Sequence, residues 1–118
     1  MEAVNPLAAS LESWSRAGWQ DGVQVDDLDE LDAIIVRTQR SVYELIVLSC
    51  ATGDVLIRGG RHFPRFTPVR VVGSSGWGTF LKRLGIYRGL RLELLMEDRR
   101  ILTSPVESAE VQSSALSA

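Results

Sequence analysis

The residues best suited to chemistry lie in one short stretch, Arg58-Gly-Gly-Arg61-His62-Phe-Pro-Arg65. It packs three guanidiniums and one imidazole into a segment whose glycines allow close backbone approach. Arginine forks meet phosphate or carboxylate oxygens at two points at once, so such a cluster suits an anion. The bland alternative is that these arginines are solvated, or paired with acids elsewhere in the chain. His62 is the sole histidine and Cys50 the sole cysteine. Together they cannot build a metal site, and no Asp or Ser is spaced to complete a triad. No catalytic residue, metal ligand or cofactor is therefore assigned.

A second stretch runs from Val69 to Thr79, through Gly73-Ser-Ser-Gly-Trp77-Gly78. A strand leading into two spaced glycines and a threonine has the outline of a phosphate-binding loop. The lysine that such a loop needs is replaced by Gly78, and the chain is too short for the surrounding βαβ scaffold. A nucleotide triphosphatase is excluded on those grounds. Trp77 in this loop could stack on a base or anchor a protein contact, against the plainer reading that it tucks onto its own core.

The third candidate is a basic run, Lys82, Arg83, Arg88, Arg91, Arg99 and Arg100. On a small barrel it could track a nucleic-acid backbone. Few aromatics accompany it, and the pI of about 5.4 is far from a dedicated nucleic-acid binder. The fourth is a pair of strand acids, Glu44 and Glu93, which could work as acid and base only if they shared a cleft. Arg91 stands two residues from Glu93 on the same strand face, which favours a simple ion pair.

These residues must be held by something, and the chain's texture says what. Asn5 and Pro6 suit a helix start, and Leu7, Leu11 and Trp14 share one helical face. A short amphipathic helix is expected over residues 1–19, docked on its own domain or on a partner. Residues 20–32 carry many acids without an apolar period and read as a mobile linker. Residues 1–32 hold eight acids against Arg16, whereas the remainder holds twelve basic residues against seven acids.

From Ala33 to Val106 the pattern is β. Ala33–Val36 and Ser41–Ser49 read as strands, the second apolar on both faces and so central. Ala51-Thr52-Gly53-Asp54 is a turn leading back into Val55–Arg58. Gly59–Pro68 reads as broken, Val69–Val72 as a strand, and Thr79–Leu84 as one helical turn. Ile86–Met96 alternates with period two, placing Ile86, Leu90, Leu92 and Leu94 on one face and a bulge at Gly89. Glu97–Arg100 is a polar turn, and Ile101–Ser104 is the last strand, stopped by Pro105. Residues 107–118 read as a disordered tail.

This many short strands with no alternating long helices argues against a parallel α/β sheet. The expected fold is mainly β: a small, partly open antiparallel barrel of five or six strands, or a tight β-sandwich, with one N-terminal helix. No apolar run is long enough to span a bilayer, and no basic and apolar leader opens the chain. With one cysteine, these features set the expectation of a soluble cytoplasmic protein. The function expected is a non-enzymatic binding or adaptor module. Arg58, Arg61, His62, Arg65, Trp77, Lys82 and Arg83 would meet an acidic protein or other anion, and Leu7, Leu11 and Trp14 would form a second contact. A further copy of the chain is another candidate partner. The alternative is a nucleic-acid-binding barrel whose acidic N-terminal segment covers the basic face until displaced.

Overall fold

The computed structural model describes residues 22–76 and 80–112. The expected helix, with Leu7, Leu11 and Trp14, lies outside them, as does Trp77. The described residues form nine strands: β1 Gly22–Gln24, β2 Ala33–Thr38, β3 Val42–Ser49, β4 Asp54–Gly59, β5 Phe63–Gly76, β6 Phe80–Arg83, β7 Gly85–Tyr87, β8 Arg91–Met96 and β9 Arg99–Gln112. Among them no helix is long and apolar enough to cross a membrane.

Period-two alternation builds the core. Ile34 and Val36 of β2, Leu45 and Val47 of β3, and Val55 and Ile57 of β4 all turn inward and are fully buried. Leu92 and Leu94 of β8 close the opposite wall, with Phe63 and Val71 of β5 and Ile86 of β7 between. Cys50 is half-buried and packs against this cluster. The outer face of β3 is open, with Val42 and Leu48 exposed. Its apolarity on both sides therefore does not mean burial on both. β3 is central only in having β2 and β4 as neighbours.

Seven strands form one antiparallel sheet in the order β4-β3-β2-β9-β8-β5-β6, while β1 and β7 form a separate pair. β4 also pairs with β5, so the run comes back on itself. It is not a clean barrel: β6 hangs outside the return pairing, and the register shifts in several ladders. The mainly-β class is as expected.

Five local expectations are corrected. β5 runs unbroken through Pro64, Pro68 and Gly73. Pro68 sits opposite Leu56 of β4, and no described strand pairs with the other side of β5 there, so the missing N–H costs no ladder bond on that side. Residues 80–83 are strand β6, not a helical turn, because they pair with Gly73–Gly76. The run Ile86–Met96 is divided: Gly89, at φ +88°, sits in a turn between β7 and β8 rather than in a bulge. Pro105 does not end β9, which continues to Gln112 by exchanging β8 for β2 as its neighbour. Residues 107–112 are thus strand rather than tail. Finally, residues 22–32 are not a loose tether. β1 pairs with β7, Val25 is fully buried, and Leu31 and Asp32 exchange backbone bonds with Val47.

The β1–β7 pair is tied to the main sheet by side chains. The Ser74 hydroxyl, fully buried, donates to the Gly85 carbonyl at 2.8 Å and accepts from the Tyr87 amide at 3.0 Å. The Tyr87 hydroxyl donates to Gln24 Oε1 at 2.9 Å. Burial, with Asp27 and Asp26 nearby, pushes that hydroxyl above its ordinary value.

Ser74→Ala would leave two buried backbone groups unpaired and is expected to cost about 1–3 kcal/mol in urea unfolding. A change within experimental error would mean the hydroxyl bridge contributes nothing. A second prediction concerns Asp54, which faces Arg70 across the β4–β5 ladder at 3.1 Å. Hydrogen bonds from Arg70 and from Thr52 hold its carboxyl below the usual 3.8. A carboxyl lowered in the folded state adds stability above its unfolded value, and loses it as pH falls through the folded one. Both side chains are about half exposed, so the contribution is small. Stability should fall more steeply below pH 3.8 in the wild type than in Asp54→Asn. Parallel curves would refute the pair.

Candidate basic groove

The β2–β3 hairpin has a two-residue tip, Gln39-Arg40, closed by Thr38 N–H donating to the Ser41 carbonyl at 2.8 Å. Thr38 is buried, and its hydroxyl organises the tip from inside. Its oxygen accepts from the amides of Arg40 and Ser41, and from the Ser104 hydroxyl at 2.8 Å. Ser104 Oγ in turn accepts from the Arg40 amide at 3.2 Å, and Gln39 N–H donates to the Pro105 carbonyl at 3.1 Å. The tip that carries Arg40 is therefore fastened to β9 where β9 changes neighbours.

The β4–β5 turn comes to the same place for a steric reason. Gly59 and Gly60 have φ of +134° and +62°. A Cβ on Gly59 would lie 2.1 Å from the Val42 carbonyl oxygen, and one on Gly60 2.9 Å from the Tyr43 ring. Only glycine lets the turn press against β3 this closely. That packing sets the exposed pair Arg61 and His62 beside Tyr43. The His62 ring stands 6.2 Å from Phe63, which meets Tyr43 edge-on at 6.4 Å.

Between these turns lies a groove of about 630 Å³. Its lining includes the guanidiniums of Arg40, Arg61 and Arg91 and the His62 imidazole, together with Tyr43 and the β9 residues Ile101 to Pro105. Among the described residues no Asp or Glu lines it. Arg91 is steadied by one bond from Nη1 to the Thr103 carbonyl at 3.2 Å, while Arg40 and Arg61 form no ion pair with a described residue. The volume falls within the range of about 300–1,000 Å³ usual for ligand clefts.

The sequence-derived set divides on this structure. Arg61 and His62 line the groove. Arg58, on β4, is bonded to Glu44 at 2.7 Å and lies 4.3 Å over the Phe66 ring, so its charge is already engaged. Arg65 is exposed on β5 and lines no part of the groove. Lys82 and Arg83 sit on β6, away from it. The glycine-rich segment expected to be a contact loop is strand as far as Gly76. Glu44 and Glu93 occupy strands that do not pair with each other, and Glu93 accepts from Arg100 at 3.1 Å while Glu44 accepts from Arg58.

Sequence reasoning missed Arg40, although the strands on either side of it were read. It also grouped Arg91 with Lys82 and Arg83, which lie elsewhere. A two-residue hairpin tip bearing an arginine was the available signal for the first. For the second there was none, because only the β9 pairings bring Arg91 to the tip.

Compared with protein-family models, with curated proteins and with solved structures, the chain has no match in any of the three.

Thr38→Val would strip the tip of its central hydroxyl. It is expected to destabilise the fold by about 1–3 kcal/mol and to speed hydrogen exchange at the Arg40 and Ser41 amides. Unchanged exchange at those amides would show that the hydroxyl does not order the tip.

Proposed function

We propose that this chain is a non-enzymatic binding module that takes an acidic protein segment at one end of a small, partly open β-barrel. The observation that carries this is the groove's lining: three guanidiniums and an imidazole, with no carboxylate among the described residues there. Uncompensated cations in a concave site raise the local concentration of anions and favour charge-assisted bonds. Two of the four, Arg61 and His62, are residues that the sequence nominates.

The alternative, a nucleic-acid binder covered by its own acidic segment, has less support. The acids Asp26 to Asp32 follow β1 and are fastened to Val47, whereas the groove lies beside Tyr43, near the other end of β3. They are held away from the groove's arginines, although Gln24 joins Asp26 to the Arg83 backbone, at the β6 part of the basic run that this alternative invokes. A single half-buried cysteine fits a reducing compartment, and we take the cytoplasm as the working location.

The test is titration of the full chain with poly-L-glutamate at low salt, followed by fluorescence anisotropy. Arg40→Ala combined with Arg61→Ala should weaken binding by about tenfold or more, since charge-assisted bonds are worth about 1.5–3 kcal/mol each. Arg65→Ala, outside the groove, should leave it unchanged. Equal loss in both variants would assign the binding to general surface charge and overturn the reading.

A further inference from the structure

The groove has a feature that a simple cationic pocket lacks. Five consecutive residues of one strand, Ile101 to Pro105, line it. Successive side chains of a strand point to opposite faces, so a groove resting on one face would meet every second residue. Ile101 and Leu102, on opposite faces of the regular ladder, both line the groove, so it meets the strand's edge there; Thr103 and Ser104 fall in the ladder's register shift. Burial agrees: Ile101 and Thr103 face the core, while Leu102 between them is 51% exposed.

That edge is open. Arg99–Leu102 pair with β8 on one side, and β2 joins β9 only from Val106 onward. The Gln39-Arg40 tip of the β2–β3 hairpin covers Ser104 and Pro105, and before them no described strand flanks the other side of Arg99–Leu102. In an antiparallel ladder, alternate residues turn both N–H and C=O away from the paired neighbour. The free side of Arg99–Leu102 therefore offers donors and acceptors in strand spacing, whereas the carbonyls of Thr103, Ser104 and Pro105 already accept from Arg91 Nη1, Thr103 Oγ1 and Gln39 N–H. Edges of this kind are commonly blunted by lysine, proline or a bulge. Here Pro105 and the ladder's register shift lie at one end, and the stretch before them is regular.

Resting on the reading of the groove as an anion site, we infer that its ligand is an extended acidic peptide added as a strand along the free edge of β9. Strand addition supplies affinity through main-chain bonds and leaves specificity to alternate side chains. The cations are placed for that. Arg91 stands opposite Pro105, Arg40 is fastened at Ser104, and Arg61 and His62 project from the facing turn. A peptide with acids at every second position would turn its carboxylates to the outer face that Arg91 and Leu102 share, and its other side chains to the opposite face.

The experiment uses the full chain and three capped peptides of about eight alternating glutamate and valine residues. One is unmodified, one is N-methylated at the glutamates, and one is N-methylated at the valines. N-methylation removes amide donors without touching charge. In an added strand only one of the two sets of amides faces β9. The unmodified peptide should bind, one methylated peptide should bind about tenfold more weakly or worse, and the other should bind like the parent. Equal binding by all three would overturn strand addition while leaving the anionic groove intact. No binding by the unmodified peptide, with or without the Arg40 and Arg61 substitutions, would overturn both. An oligothymidylate that displaced the peptide and bound more tightly would assign the groove to nucleic acid and overturn the inference.

Discussion

Two strands of fourteen residues, β5 and β9, hold the molecule together by each serving different neighbours along its length. β5 meets β4 first, then β8 on its other side, then β6. β9 meets β8 and then β2. A sheet with edges at every turn would expose unpaired backbone, and full closure would need strands of matched length and register. Long strands that change neighbours are the compromise reached here. They fold the sheet over a single core, and they leave backbone unpaired where one neighbour stops before another begins.

Proline makes those changes tolerable. Pro105 lies where β9 passes from β8 to β2, and Pro68 lies in β5 near the point where β8 takes over beyond Arg70. A residue without an N–H is least costly where one of its sides has no ladder to maintain. The same reasoning explains what the sequence concealed. Proline and paired glycines read locally as interruptions, so Gly59–Pro68 looked broken and Ser104 looked terminal. Only long-range pairing shows that the chain continues straight through. By contrast, the β3–β4 hairpin and the inward row Leu90, Leu92 and Leu94 were readable, because burial on one face leaves a period of two that needs no knowledge of the neighbour.

The candidate site was legible to the same degree. Arg61 and His62 stood out because cations and glycines cluster within one short segment. Arg58 stood out for the same reason and is spent on Glu44, since a residue directly across an antiparallel ladder is the nearest available counter-charge. Arg40 and Arg91 are brought to the groove by pairings between strands far apart in the chain, and no local pattern carries that information. Charge is thus sorted by topology rather than by sequence order. Asp32 is bonded to Val47, whereas Arg40 and Arg61, without an ion pair to a described residue, meet beside Tyr43.

The glycine pair at the head of β5 has a consequence for how the module can diversify. Neither position accepts a side chain without pushing β3 aside, so the reach and angle of the turn are set by the fold itself. The two residues that follow are exposed and carry no part of the core. Their identities can change freely while the backbone beneath them stays put. On the proposed reading, recognition and folding are therefore separable: changes at Arg61 and His62 would alter part of the groove's lining without touching the core.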